Sequence, residues 1–314
     1  MNAMQDPQGT HATLLNNATQ ILQDAAKQDA LHAAILNDSA QQVQDALKNG
    51  ANPNKEMEPP VKAGTKTDRS QQPSLSQSPL YLALIMKHQN AIQALLDGGA
   101  KPDEQSIQKA LEESSFGNAL LFLKKDPTIS EQKIDYFMVL CMRNGFQPTD
   151  PTSPVVIKDP AVLEIIQQLI NHGYNVNDIW FTQTGGGSSN LYWNDDALKL
   201  FLKNGANPNF IYIHGINSNT PLLQAIASTR NNRANLSGIK ILLDAGANVN
   251  QKANPEESRA PREAKTPAAF ASEKASHDSA LRRFLQEKGG TFTGLPPIPP
   301  IINKKLPQSL KLAN

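Results

Sequence analysis

A single cysteine, Cys141, stands in a chain of 314 residues, which excludes an intramolecular disulfide and fits a reducing compartment. Charge of one sign is lacking too. A net charge of +1 supplies no field for nucleic acid or an anionic membrane, and neither is expected as a partner. No stretch of about eighteen apolar residues occurs, and the first residues lack a basic segment followed by a hydrophobic run. Membrane insertion and export through an ordinary signal peptide are therefore not expected. Aromatic residues make up only 5%, so any local concentration of them is informative.

Metal and catalytic patterns are also missing. His11, His172, His214 and His277 are scattered, with no second histidine or cysteine three or four residues away, so neither a metal nor another cofactor is expected. Cys141 and His172, oriented by Asn171 or Asp178, are the nearest approach to a thiol nucleophile and its base. However, Cys141 lies in the apolar run Met138-Val139-Leu140-Cys141-Met142, where cysteine serves as a small hydrophobe. The run Gly185-Gly186-Gly187-Ser188-Ser189 lacks the Gly-Lys-Ser/Thr ending of a phosphate loop and reads as a turn. No catalytic residue is assigned.

What the chain does have is repetition. Gly-Ala-Asn-Pro-Asn occurs at 50–54 and again at 205–209, with looser copies starting at Gly99, Gly173 and Gly246. Each glycine follows an apolar helical stretch and suits the left-handed position after a helix end. The positions seven, four and three residues earlier are apolar in each copy: Val43, Ala46 and Leu47, for example, and Ile92, Leu95 and Leu96. Such spacing places them on one helical face. About twenty-one residues before Gly50 and Gly99, Asp29-Ala30-Leu31 and Ser78-Pro79-Leu80 open a preceding helix. Thr220-Pro221 and Thr266-Pro267 repeat the start, a hydroxyl N-cap followed by proline at the first helical position.

These residues resemble the ankyrin repeat, whose helix pair opens on T-P-L-H-x-A and closes on a Gly-Ala and Asn turn. The likeness spans roughly 29–290. It implies an all-α solenoid of about seven helix-turn-helix units with long finger loops, a concave surface that grips another protein, and no catalysis. It also implies that His32, at the signature histidine position, bonds between neighbouring loops. The expected organisation is an N-terminal capping helix over 1–28, the solenoid over 29–290 with a flexible insertion at 55–77, and a Pro-rich tail over 291–314. Because a solenoid has no central core to outgrow, it counts as one elongated domain. Several units are degenerate. In the third, Asp126-Pro127 replaces the Gly-Ala stop; the fourth carries a Pro-rich insertion around 148–160; the sixth carries a polar one near 229–236.

The least regular region is also the most aromatic. Trp180, Phe181, Tyr192, Trp193, Phe210, Tyr212 and His214 fall within one stretch and are the candidate partner-binding residues. Phe210-Ile211-Tyr212-Ile213-His214-Gly215 reads as a β-hairpin arm. Aromatic anchors on loops held by a rigid scaffold are what an interface hot spot requires. The alternative is that the rings fill space left by a shortened helix; Phe201, at a repeat-defined apolar position, is expected in the core.

Asn and Gln make up about one residue in six and lysine outnumbers arginine by more than two to one, a bias that accompanies AT-rich genomes. The chain thereby resembles the ankyrin-repeat effectors of intracellular bacteria. That likeness implies a protein cytoplasmic in the producing cell and translocated into a host, where it binds a host protein; a monomer is expected. Leu306, Leu310 and Leu312, among Lys304, Lys305 and Lys311, are the candidates for a C-terminal secretion address. A cytoplasmic adaptor or inhibitor in the producing cell is the first alternative, and an enzyme built on the irregular fourth and fifth units the second.

Overall fold

The structure is a computed structural model and describes residues 7–57, 77–148, 155–180, 194–214, 217–227, 236–251 and 279–291. Two compact units divide the chain, one of residues 1–146 with 157–174, the other of 147–156 with 175–314.

The first unit is a succession of antiparallel helix pairs. Helix α1 (Pro7–Leu36) pairs with α2 (Ala40–Lys48), α3 (Pro79–Ile85) with α4 (Gln89–Asp97), α5 (Glu104–Glu112) with α6 (Phe116–Leu123), and α7 (Glu131–Gly145) with α8 (Ala161–Asn171). First helices pack on first helices, α1 on α3, α3 on α5 and α5 on α7, while α2 packs on α4 and α6 on α8. The apolar positions seven and four residues before each glycine form the core between them, while Leu47, three before Gly50, is half-buried. Val43, Ile92, Leu95, Ile166 and Leu169 are at most 1% exposed. Full burial of each such side chain contributes about 1.5–3 kcal/mol, the main force holding one pair to the next.

The starts and stops follow local chemistry. Ser39, Ser78 and Asp103 cap α2, α3 and α5, each accepting a hydrogen bond from the backbone N–H three residues on. At the far ends Gly50, Gly99 and Gly173 hold φ between +89° and +106°. Asp126 adopts the same left-handed turn at φ +52° in place of glycine, which is how the degenerate third unit keeps its geometry. Between α7 and α8 the chain is not wholly irregular: β1 (Phe146–Pro148) and β2 (Val155–Ile157) pair as a short two-stranded sheet.

One expected boundary is absent. Helix α1 runs unbroken across residues 28 and 29, because Gln28-Asp29-Ala30 carries neither glycine nor proline to stop it. Its residues 15–26 are exposed, while Leu31, Ala34 and Ile35 are buried.

The second unit opens on a 3₁₀ turn (Val176–Trp180), followed by α9 (Asp195–Lys203), the strands β3 (Tyr212–His214) and β4 (Asn217–Asn219), α10 (Pro221–Ala227), α11 (Leu236–Asp244) and α12 (Ser279–Glu287). Here α9 packs on α11 and α10 on α11. Asn194 and Thr220 cap α9 and α10 in the same manner as the first unit's caps. Gly205, Gly246 and Gly289 end α9, α11 and α12 at φ between +84° and +93°. Phe201 is fully buried, as its repeat position requires. Among the described residues the fold is thus of the ankyrin type, all-α apart from two short β-ribbons. Thr266-Pro267, the glycine run at 185–187, the polar insertion near 229–235 and the tail from 292 lie outside the described residues.

Candidate protein-binding surface

What could bind a partner depends first on how firmly the turns are held. In Gly-Ala-Asn-Pro-Asn the two asparagines do different work. The first shapes its own turn: Asn52, Asn207 and Asn248 each accept, on Oδ1, the backbone N–H two residues later at 2.9 Å, and Asn175 does the same at 3.2 Å. The second reaches into the next repeat. Asn54 Oδ1 accepts from Lys101 N at 2.7 Å while its Nδ2 donates to Gly99 O at 3.3 Å. Asn209 grips Asn248 N at 2.7 Å and Gly246 O at 2.8 Å. Asn250 grips Thr291 N at 3.0 Å and Gly289 O at 2.8 Å. Asn177 Oδ1 accepts from Asn207 N at 2.8 Å.

A carboxamide suits this role because it presents an acceptor and a donor side by side, the pair that a backbone amide and carbonyl demand. Gln28 in α1 supplies the equivalent rung for the first turn, donating to Asn52 O at 3.1 Å and accepting from Asn52 N at 3.2 Å. At the third turn Asp103 occupies the rung position and cannot donate. Its carboxylate caps α5 instead, and Glu104 Oε1 takes Ser130 N at 2.6 Å.

A second set of links joins neighbouring repeats at the turn between paired helices. Asp38, at φ +48°, accepts from Ala91 N at 2.9 Å and Asn90 Nδ2 at 3.2 Å, and so caps α4 from the preceding repeat. His88, which makes no side-chain cap of its own, donates from Nδ1 to Ile35 O at 2.7 Å. The bond expected of His32 is therefore not the one found. His32 Nε2 is buried with no partner among the described residues, and His88 performs the inter-repeat link.

On this frame the first helices of the first unit present exposed apolar groups. Leu36, Met86, Tyr136 and Val139 are 37–41% exposed, and each lies on a first helix or its C-cap. Tyr136, Val139 and Arg143 share one exposed face of α7. The insertion after α2 is closed at its neck by paired backbone bonds between Met57 and Gln77, at 2.7 and 2.9 Å; residues 58–76 lie outside the described residues.

Of the sequence-chosen anchors, Phe181, Tyr192 and Trp193 lie outside the described residues. Trp180 ends the 3₁₀ turn. Phe210 is half-buried and follows the Asn207-Pro208-Asn209 turn. Tyr212 and His214 begin and end β3, which pairs antiparallel with β4 in the register Tyr212 with Asn219 and His214 with Asn217, so the backbone arm is a β-hairpin as expected. The thiol pair fares otherwise. Cys141 is fully buried, its Sγ 3.8 Å from Val162 O, and desolvation pushes its pKa far above the ordinary thiol range. His172 contacts Leu123 O at 3.4 Å. A buried neutral thiol is not a nucleophile. Among the described residues no group of three His, Cys, Asp or Glu could hold a metal ion, and no helix is long and apolar enough to cross a membrane.

Sequence reasoning missed the rungs at Gln28, Asn54, Asn177, Asn209 and Asn250. Recurrence of asparagine four residues after Gly50, Gly173, Gly205 and Gly246 was the available signal for four of them, and Gln28 carries no such signal.

No protein-family model matches the chain, and no curated protein does. Among solved structures the chain is similar to an ankyrin repeat domain from Acinetobacter baumannii AYE, 22% identical over 69% of this chain and 98% of that one, with a TM-score of 0.40.

Proposed function

We propose that this protein is a non-catalytic protein-binding module, delivered by a bacterial producer into a host cell where it binds a host protein. The observation that carries the binding role is the placement of Leu36, Met86, Tyr136 and Val139. Outside the exposed stretch of α1, these are the first unit's exposed large apolar side chains among the described residues, and all four stand on the first helices or their caps. Apolar groups on a face whose turns are clamped repeat to repeat meet a partner with little ordering cost. In the second unit, Trp180, Phe181, Tyr192, Trp193, Phe210, Tyr212 and His214 supply the aromatic anchors of the finger region. The host setting rests on the Asn, Gln and Lys bias of the composition.

The test is capture of a partner from host-cell lysate by the whole chain, repeated with Tyr136→Asp and with Trp180→Ala/Tyr212→Ala. Both variants are expected to lose the captured protein while keeping the helical circular dichroism spectrum. Capture that survives both moves the interface elsewhere. Capture should persist in Cys141→Ser; an enzymatic turnover that disappears in that variant would establish the thiol enzyme instead. Deletion from Thr291 onward should abolish translocation into the host; normal delivery without the tail removes its role as an address.

A further inference from the structure

We infer that the N-terminal part of α1 is a homodimerisation element, pairing antiparallel with the same helix of a second copy about a two-fold axis at Ala18. The first observation is exposure. Leu15, Ile21 and Leu22 are 65%, 69% and 71% exposed on a helix that continues well beyond the residues it buries. Its sequence is weakened as a helix former by Gly9, Thr10, Thr13, Asn16, Asn17 and Thr19. Isolated helices shorter than about 12–15 residues are marginal in water even with alanine-rich sequences. Residues 15–26 extend a helix that is anchored only at its C-terminal end, and an apolar partner would stabilise that extension.

The second observation names the partner. Residues 14–22 read Leu-Leu-Asn-Asn-Ala-Thr-Gln-Ile-Leu, a palindrome of chemical type centred on Ala18. In an antiparallel pair with the axis at that residue, register places Leu15 opposite Ile21 of the second copy and Ala18 opposite its own image. Position 14, also leucine, falls opposite Leu22. Asn17 and Thr19 flank the seam, and Asn16 and Gln20 face away from it. This self-complementarity is what an isologous interface requires, since the same patch must serve on both sides. Alanine at the centre lets the backbones approach closely.

Charge points the same way. From Pro7 to Gln23 the helix contains no Asp, Glu, Lys or Arg, so two copies meet without like-charge repulsion. The first charged groups, Asp24 and Lys27, are paired with each other at 3.0 Å. A helix that lies on a membrane surface carries Lys and Arg along its polar face, and this stretch has none. About nine residues a side is well below the ~20–30 of a standard stable interface, so the self-association is weak. The monomer expected from the sequence is then the dilute state of a weak dimer.

Sedimentation equilibrium of the full chain from about 5 to 500 µM should show the mass rising toward twice the monomer value. Leu15→Lys/Ile21→Lys, which sets like charges opposite one another, should weaken association at least tenfold. Ala18→Cys should form an intermolecular disulfide under mild oxidation far faster than Asn16→Cys, which lies on the other side of the helix. Cys141 is buried and does not compete. A monomer mass throughout overturns the proposal, as does equal cross-linking at 16 and 18, or an association that the double-lysine variant leaves intact. Binding to neutral phospholipid vesicles by a chain that stays monomeric in their absence would assign the stripe to a lipid surface and equally overturn it.

Discussion

Replacing Asn209 by alanine isolates one rung. The side chain makes two bonds across a sequence separation of 37–39 residues, accepting from Asn248 N at 2.7 Å and donating to Gly246 O at 2.8 Å. Each net hydrogen bond contributes about 0.5–1.5 kcal/mol, and both lie in a solvent-exposed setting where water can replace them in part. The expected loss is therefore about 1–2 kcal/mol, toward the lower end. Asn209→Asp separates the two bonds, because a carboxylate still accepts from Asn248 N but cannot donate to Gly246 O. Hydrogen exchange at the Asn248 amide reads the first bond directly, and urea unfolding reads the sum. Asn209→Ala should accelerate exchange at Asn248 about tenfold or more, whereas Asn209→Asp should preserve its protection and still lower the unfolding free energy. Unchanged exchange at Asn248 in the alanine variant, with stability within about 0.3 kcal/mol of the parent, would refute the clamp.

Other perturbations test the backbone reading. Asp126 holds φ +52° with its side chain 97% exposed, so Asp126→Gly relieves a left-handed strain; stability should rise by about 0.5–1 kcal/mol in thermal or urea unfolding. A Cβ at Gly145 would lie 2.8 Å from both methyl carbons of the fully buried Val162, and valine is stiff at χ1. Gly145→Ala should cost about 1–3 kcal/mol, and Gly145→Ala combined with Val162→Ala should recover part of it. At Gly98 the Cβ meets the tip of the half-exposed Leu47 side chain, so Gly98→Ala should cost less than Gly145→Ala in the same assay.

How much was legible in the sequence depended on the range of the interaction. Helix ends at Gly50, Gly99, Gly173, Gly205 and Gly246, and caps at Ser78 and Thr220, are set by neighbours a few residues away, and those read correctly. The rungs did not, because asparagine after a glycine already has a local reason to be there, and the bond that Asn54 makes to Lys101 spans 47 residues. His32 was misread for the opposite reason, since family likeness supplied a role that this chain gives to His88. Of the candidate anchors, only Phe210 has a described side-chain environment, and repeat position says nothing about rings in a unit that has lost its first-helix pattern.

The rungs all point one way. Asn54, Asn177, Asn209 and Asn250 each hold the turn that follows them in the chain, and Gln28 does the same for the first. During synthesis, then, every clasp leaves the ribosome before the turn it closes on, and each new turn meets a waiting anchor. Loss of material is unequal for the same reason: trimming from the C-terminal end leaves an amide that water can satisfy, while trimming from the N-terminal end releases a turn that had been held.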